Sequence, residues 1–294
     1  MFKRFLIYTF VITFSYPVLA SQKDSLVFAE ANWDTKSYHA GGIKLRQFAF
    51  TDSSLFRSNQ FVSILEISSS FNFDVVADTV LVFTSDFVAY AGALAGINGS
   101  FFTWYAPWNS DNYLRIDGKE LAPNQTNTVG LRSFRQSGCV GVSKKGKLFI
   151  SSTPSEFMER EDNDFWEKNI EARDLLSSGP VLRTRGKDVP ILFRAFNNIR
   201  HPRSAIGIRK NGKVLMVVVD GRHKEAAGMT MSELQKVMRW LHAWDALNLD
   251  GGGSSTLCVR KRISDSVQVV NHPSDNKLFN KGGERKVANA IVVK

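Results

Sequence analysis

Asp220 and Asp250 each stand at the end of an apolar run, VLMVVV before the first and ALNL before the second. Paired carboxylates suit reactions at a sugar's anomeric carbon, where one attacks or stabilises the developing cation and the other moves a proton. Asp250 leads directly into Gly251, Gly252, Gly253, Ser254 and Ser255. Consecutive glycines let the backbone approach a ligand closely, and their N–H groups, with the two hydroxyls, form a cradle for an anionic oxygen. Arg203 and Arg222 supply permanent positive charge, and each guanidinium can grip two phosphate oxygens at once. Arg222 follows a strand end, and Arg203 directly precedes the strand-like segment 204–209. Carboxylates beside a cationic, glycine-lined hollow point to a saccharide that carries phosphate or another acidic group.

These groups need a frame that brings them together. The run 213–219 reads as a strand buried on both faces. Thr230 and Glu233 form a capping box, and Met231, Leu234, Val237, Met238 and Leu241 follow at helical spacing, which predicts a helix over 230–242. A second strand over 245–250 completes a βαβ unit whose crossover is long enough to return the chain parallel to the first strand. Asp220 and Asp250 then sit at the carboxyl ends of parallel strands, the edge where open α/β sheets bind ligands. Neighbouring strands would place the two about 5 Å apart, and one intervening strand about 10 Å apart, the retaining and inverting ranges respectively.

Alternating runs at 43–50, 61–67 and 79–83 read as further strands. Segment 91–102 is a strand or short helix running into a turn at Asn98-Gly99, and 103–131, rich in Trp, Tyr, Asn, Asp and Pro without a period, reads as a long ordered loop. Strands are expected at 138–142 and 148–151 across the turn SKKGK, at Val181, in a hairpin over 256–259 and 267–270, and at 287–293, with 154–174 partly helical. The predicted class is α+β: a mixed β-sheet core with the βαβ unit and several hairpins.

The first twenty residues place Lys3 and Arg4 before an apolar stretch and end in Ala20, the layout of a cleavable secretory signal. Its apolar core falls short of the ~20 residues that span a membrane, and no second such stretch follows. The expectation is a secreted or periplasmic protein, with residues 21–294 forming one domain and no integral membrane segment after cleavage. The formal charge of +10, less the two cations of the signal, favours anionic ligands in general. Nucleic acid is disfavoured, because the basic residues are scattered as KRK, RTRGK and KK and export removes a genomic target. Cys139 and Cys258 lie in apolar stretches, as two buried thiols or as one disulfide. His39, His201, His223, His242 and His272 lack paired ligand spacing, so neither zinc nor any other cofactor is expected, although an oxygen-ligated cation stays open.

The strings HPRSAIG (201–207), VVVDGR (217–222), GMTMSEL (228–234) and DALNLDGGGSS (245–255) resemble the phosphodiester glycosidase family. INGSFF (97–102), SGPVL (178–182), and Asn271-x-Pro273-Ser274 followed by Glu284-Arg285-x-Val287-x-Asn289 add to the resemblance, which keeps the family's order. Residues 21–94 carry no match. The resemblance implies hydrolysis of the bond between an anomeric carbon and a phosphodiester. It implies Asp220 and Asp250 as catalytic carboxylates in unassigned order, Arg203, Arg222 and the Gly251–Ser255 loop as phosphate site, and Asn98 with the aromatic loop 104–113 as sugar-binding groups. Two other readings stay open: an exported glycan-binding or polysaccharide-assembly protein without turnover, and a metal-assisted phosphodiesterase acting at phosphorus.

Overall fold

The computed structural model describes residues 16–126, 130–158 and 164–294, with side chains from residue 23 onward. Most of the expected signal lies outside the described residues, and helix α1 (Tyr16–Ala29) runs across the expected cleavage point. The chain continues through β1 (Asp34–Tyr38), β2 (Ile43–Leu55), β3 (Ser58–Ile67), β4 (Phe73–Phe83), α2 (Thr84–Tyr90) and β5 (Ala95–Asn98). Two short strands, β6 (Leu114–Ile116) and β7 (Lys119–Ala122), occupy the stretch expected to be loop. Then come β8 (Gly138–Val142), β9 (Leu148–Ser152), the single turns α3 (Ser155–Met158) and α4 (Phe165–Lys168), β10 (Asp174–Ser178), β11 (Val181–Thr184), β12 (Lys187–Asp188) and α5 (Ala195–Asn198). The last part holds β13 (Arg203–Arg209), β14 (Val214–Val219), α6 (Met231–Trp240), β15 (Ala243–Asn248), β16 (Leu257–Val259), β17 (Gln268–Val269) and β18 (Lys286–Val293).

The strands form three sheets ordered β1-β2-β3-β14-β13-β15-β11-β12, β7-β6-β10-β8-β9 and β17-β16-β5-β18-β4. All three contribute to one core, which includes Ile67, Val140, Val218, Ile206, Leu257 and Ile291. A second core lies on the other face of the large sheet, under α6 and α1. VLMVVV serves both: Val214, Met216 and Val218 point into the first core, while Leu215, Val217 and Val219 point at α6. This is the period-two alternation of a strand covered on both faces. Helix α6 starts where its capping box predicts: Thr230 Oγ1 accepts from the Glu233 N–H at 3.2 Å and Glu233 Oε2 from the Thr230 N–H at 2.9 Å.

The α+β class is observed, with one difference inside the βαβ unit. β14 and β15 do run parallel, but β13 lies between them and pairs antiparallel with both. Every strand ladder among the described residues is antiparallel. The reason is local: Gly212, at φ +80°, turns the chain after Asn211, and its N–H donates to Arg209 O at 2.8 Å. The β13–β14 hairpin closes over so short a loop that β15, arriving after a helix, finds β14 already paired. Cys139 and Cys258 are free thiols, buried in different sheets, where they pack as small hydrophobes.

Candidate active site

The strand ends of β13, β14 and β15 surround a cavity of about 170 Å³. Asp250, Gly251 and Gly252 form one wall, and Arg203, Arg222, His201 and Phe196 form the others. Asp250 sits just beyond β15, and its main chain is clamped on both sides. Its N–H donates to Gly99 O at 3.0 Å, and its carbonyl accepts from Asn98 Nδ2 at 2.8 Å. The carboxylate accepts the Gly251 N–H at 2.9 Å and stays partly open to the cavity. Burial raises its pKa; the Ser254 side chain, the Gly251 amide, Arg135 and Arg285 pull the other way.

Gly251 is required by a backbone contact and Gly252 by its backbone geometry. Gly252 has φ +65°, and a Cβ there would lie 2.8 Å from Arg222 Nη2. A Cβ on Gly251 would lie 2.7 Å from Pro202 O, the oxygen that accepts the Gly252 N–H. Arg222 is exposed, at φ +66°, and makes no hydrogen bond or ion pair among the described residues. Its charge is therefore available to a ligand. The imidazole of His201 is held below its usual pKa by burial first, then by Arg203 and Arg222, so it is neutral at neutral pH.

Several expected site residues stand elsewhere or do other work. Asp220 does not line the cavity: only 1% exposed, its carboxylate accepts from Asn271 Nδ2 at 2.9 Å and from the His272 N–H at 3.0 Å, and contacts His272 Nδ1 at 2.9 Å. Desolvation raises its pKa despite these partners. Strand periodicity explains the separation, because Val219 faces α6 and the next residue must face the inter-sheet core. Asn271 ties Asp220 back to the loop, since Nδ2 also donates to Ser255 O at 2.9 Å. Asn98, expected among sugar-binding groups, is fully buried: besides the Asp250 bond, its Oδ1 accepts from Ser204 Oγ at 2.7 Å and the Thr256 N–H at 3.2 Å.

Arg203 is a strut as well as a wall. It is 1% exposed, its Nε donates to Met229 O at 2.8 Å, and its Nη2 donates to Phe196 O at 2.7 Å and Ile199 O at 2.9 Å. Burial pushes its pKa down to about 10, still protonated at neutral pH. Gly253, Ser254 and Ser255 are buried behind the cavity, Gly253 against the Asp275–Arg285 ion pair. Of the aromatic loop, Trp104 and Tyr105 remain exposed while Asn109 Nδ2 donates to Thr79 O of β4 at 2.9 Å. Sequence reasoning missed Phe196 and Arg135, whose guanidinium lies 5.1 Å from the Phe196 ring. It also gave no role to His201, although this residue opens the HPRSAIG string, or to His272, the variable position beside Asn271.

Comparison with known proteins supports this frame. The family model described as phosphodiester glycosidase matches residues 91–294. The SPbeta prophage-derived uncharacterized protein YomE of Bacillus subtilis is 32% identical over 90 residues, 27% of this chain and 14% of that protein. The N-acetylglucosamine-1-phosphodiester alpha-N-acetylglucosaminidase of Mus musculus is 30% identical over 84 residues, 29% of this chain and 15% of its own length. The chain thus matches only a small part of the length of these curated relatives. Among solved structures, the zebrafish N-acetylglucosamine-1-phosphodiester alpha-N-acetylglucosaminidase catalytic domain, auto-inhibited by its pro-peptide, superposes with a TM-score of 0.60 at 18% identity, covering 94% of this chain and 92% of that one. A hypothetical protein from Synechocystis gives 0.55 at 17% identity, covering 90% and 64%. These two establish the shared fold. With a family model matched over well more than half of its length, the chain belongs to the phosphodiester glycosidase family.

Proposed function

We propose that the chain hydrolyses the anomeric C–O bond of a sugar-1-phosphodiester, releasing the sugar and leaving a phosphomonoester. One observation carries the reading: the partly open carboxylate of Asp250 shares a single cavity with the guanidinium of Arg222, which has no partner among the described residues. The phosphate sits against Arg222 and the glycine wall, with the charge of buried Arg203 behind it. A departing phosphate is already acidic and needs charge stabilisation more than a proton, which fixed cations in a recessed site provide. The ionised Asp250 acts at the anomeric carbon, as nucleophile or as stabiliser of the oxocarbenium ion. Neutral His201 is a second proton-transfer group in the cavity. Asp220 holds Asn271 and His272 in place and does not touch substrate.

The names of two curated relatives favour an N-acetylglucosamine-like sugar linked through C1. The N-terminal pattern of two cations, an apolar stretch and Ala20 supports export to the periplasm or beyond. Hydrolysis of N-acetylglucosamine-1-phosphodiester in ¹⁸O-labelled water tests the reading. The label should appear on the sugar and be absent from the phosphate. Label on phosphate would mean attack at phosphorus and would remove the proposal.

A further inference from the structure

A second cavity, of about 300 Å³, lies beside the first and has a mainly apolar lining that includes Phe134, Val181, Val189, Leu192 and Asn197. The two share a wall. Phe196 lines the cationic cavity and Asn197, the next residue of α5, lines the apolar one. The ring of Phe134, on the apolar side, stands 5.3 Å from that of Phe196. Arg194 stacks over Phe134 at 5.3 Å, and Leu192 and Phe193 are 57% and 93% exposed on the same strap. Asn197 is 1% exposed; its Nδ2 donates to Leu192 O at 2.8 Å, but its Oδ1 has no partner among the described residues. The chemistry proposed at the anomeric carbon uses none of the residues that line the apolar cavity.

We propose that this cavity is the aglycone subsite. A phosphodiester carries two esters: with the sugar on Asp250 and the phosphate on Arg222, the other ester oxygen directs its substituent past Phe196. The mainly apolar lining selects an alkyl or aryl aglycone. The inference rests on reading the cationic cavity as the phosphate site.

The test compares methyl phosphate with hexyl phosphate by titration calorimetry, and methyl with hexyl diesters of the same sugar-1-phosphate by kcat/KM. Each methylene taken from water is worth at most about fourfold in affinity. Hexyl phosphate should therefore bind at least tenfold more tightly than methyl phosphate, and the hexyl diester should be turned over with at least tenfold higher kcat/KM. Val189→Asp should abolish both preferences; if it does not fold, Leu192→Ser, at an exposed position, should weaken them in the same direction. Equal binding of the two phosphates overturns the subsite, and continued hydrolysis of the methyl diester would then leave the hydrolase reading standing. Tighter binding of hexyl phosphate with no hydrolysis of either diester keeps the subsite and removes the hydrolase reading instead.

Discussion

Asn98 Nδ2 donates to the main-chain oxygen of Asp250 at 2.8 Å, so the INGSFF and LNLDGGGSS segments, far apart in the chain, meet in one buried bond. The same Asn98 side chain also receives Ser204 Oγ and the Thr256 N–H through Oδ1. One amide thereby joins β5, β13 and the loop after β15, and fixes where the Asp250 carboxylate points.

Removing that amide should damage both stability and rate. Asn98→Ala leaves buried polar groups without partners, which costs about 1–3 kcal/mol. Urea unfolding should show a loss of that order, and kcat should fall in the folded fraction. An unchanged unfolding midpoint would contradict the bracing role.

Asp220 should behave as a structural carboxylate. Asp220→Ala strips the acceptor from Asn271 Nδ2 and the His272 N–H, with an expected loss of about 1–3 kcal/mol in the same unfolding measurement. Its effect on kcat/KM should be recovered in part by Asp220→Asn, whose oxygen keeps one of those acceptors. A direct catalytic role would make the two variants equally inactive at full stability.

Arg222→Ala should separate binding from folding. The side chain is exposed and unpartnered among the described residues, so melting should stay within about 0.5 kcal/mol of wild type. Loss of a charge-assisted phosphate contact should raise KM by roughly tenfold or more. In the wild-type protein KM should rise with salt, because the contact is open to solvent. Gly252→Ala should add about 1–2 kcal/mol of backbone strain at φ +65° and, because its Cβ displaces the mobile end of Arg222, should raise KM less than Arg222→Ala does.

The raised pKa of Asp250 sets the pH response. If the ionised form does the chemistry, the acid limb of kcat/KM should lie above the ordinary carboxylate range. For stability the sign is the reverse. A group whose folded pKa exceeds its unfolded value stabilises the fold while protonated, and that contribution is lost as pH rises through the folded pKa. Asp250→Asn, neutral throughout, should therefore melt at or above wild type at neutral pH, with the gap closing as pH falls toward the unfolded carboxylate pKa. Thermal melts over a pH series measure this.

Much of the frame was legible from local pattern. VLMVVV reads as a strand covered on both faces, and the Thr230–Glu233 box marks the start of α6. Asp250, Gly251, Gly252 and Arg222 share a cavity as their positions at strand ends suggest. The separation of Asp220 from Asp250 was not legible in the same way. Period two orients Asp220 away from α6, but Asp250 lies beyond β15, where strand alternation no longer applies. The Asn211-Gly212 turn announces the β13–β14 hairpin, yet which edge β15 then joins depends on tertiary pairing. Arg203 reads as a ligand from its charge; only the carbonyls of Met229, Phe196 and Ile199 reveal it as a strut. Phe196 and Arg135 carry no local signal, because the packing of separate segments brings them to the site.

The most direct test is turnover of a sugar-1-phosphodiester by Asp250→Asn beside wild type. In the variant kcat should fall by at least about a hundredfold, with the protein folded and melting no lower than wild type. Near wild-type turnover by the folded variant would remove Asp250 from the chemistry, although it is the one carboxylate lining the cavity among the described residues.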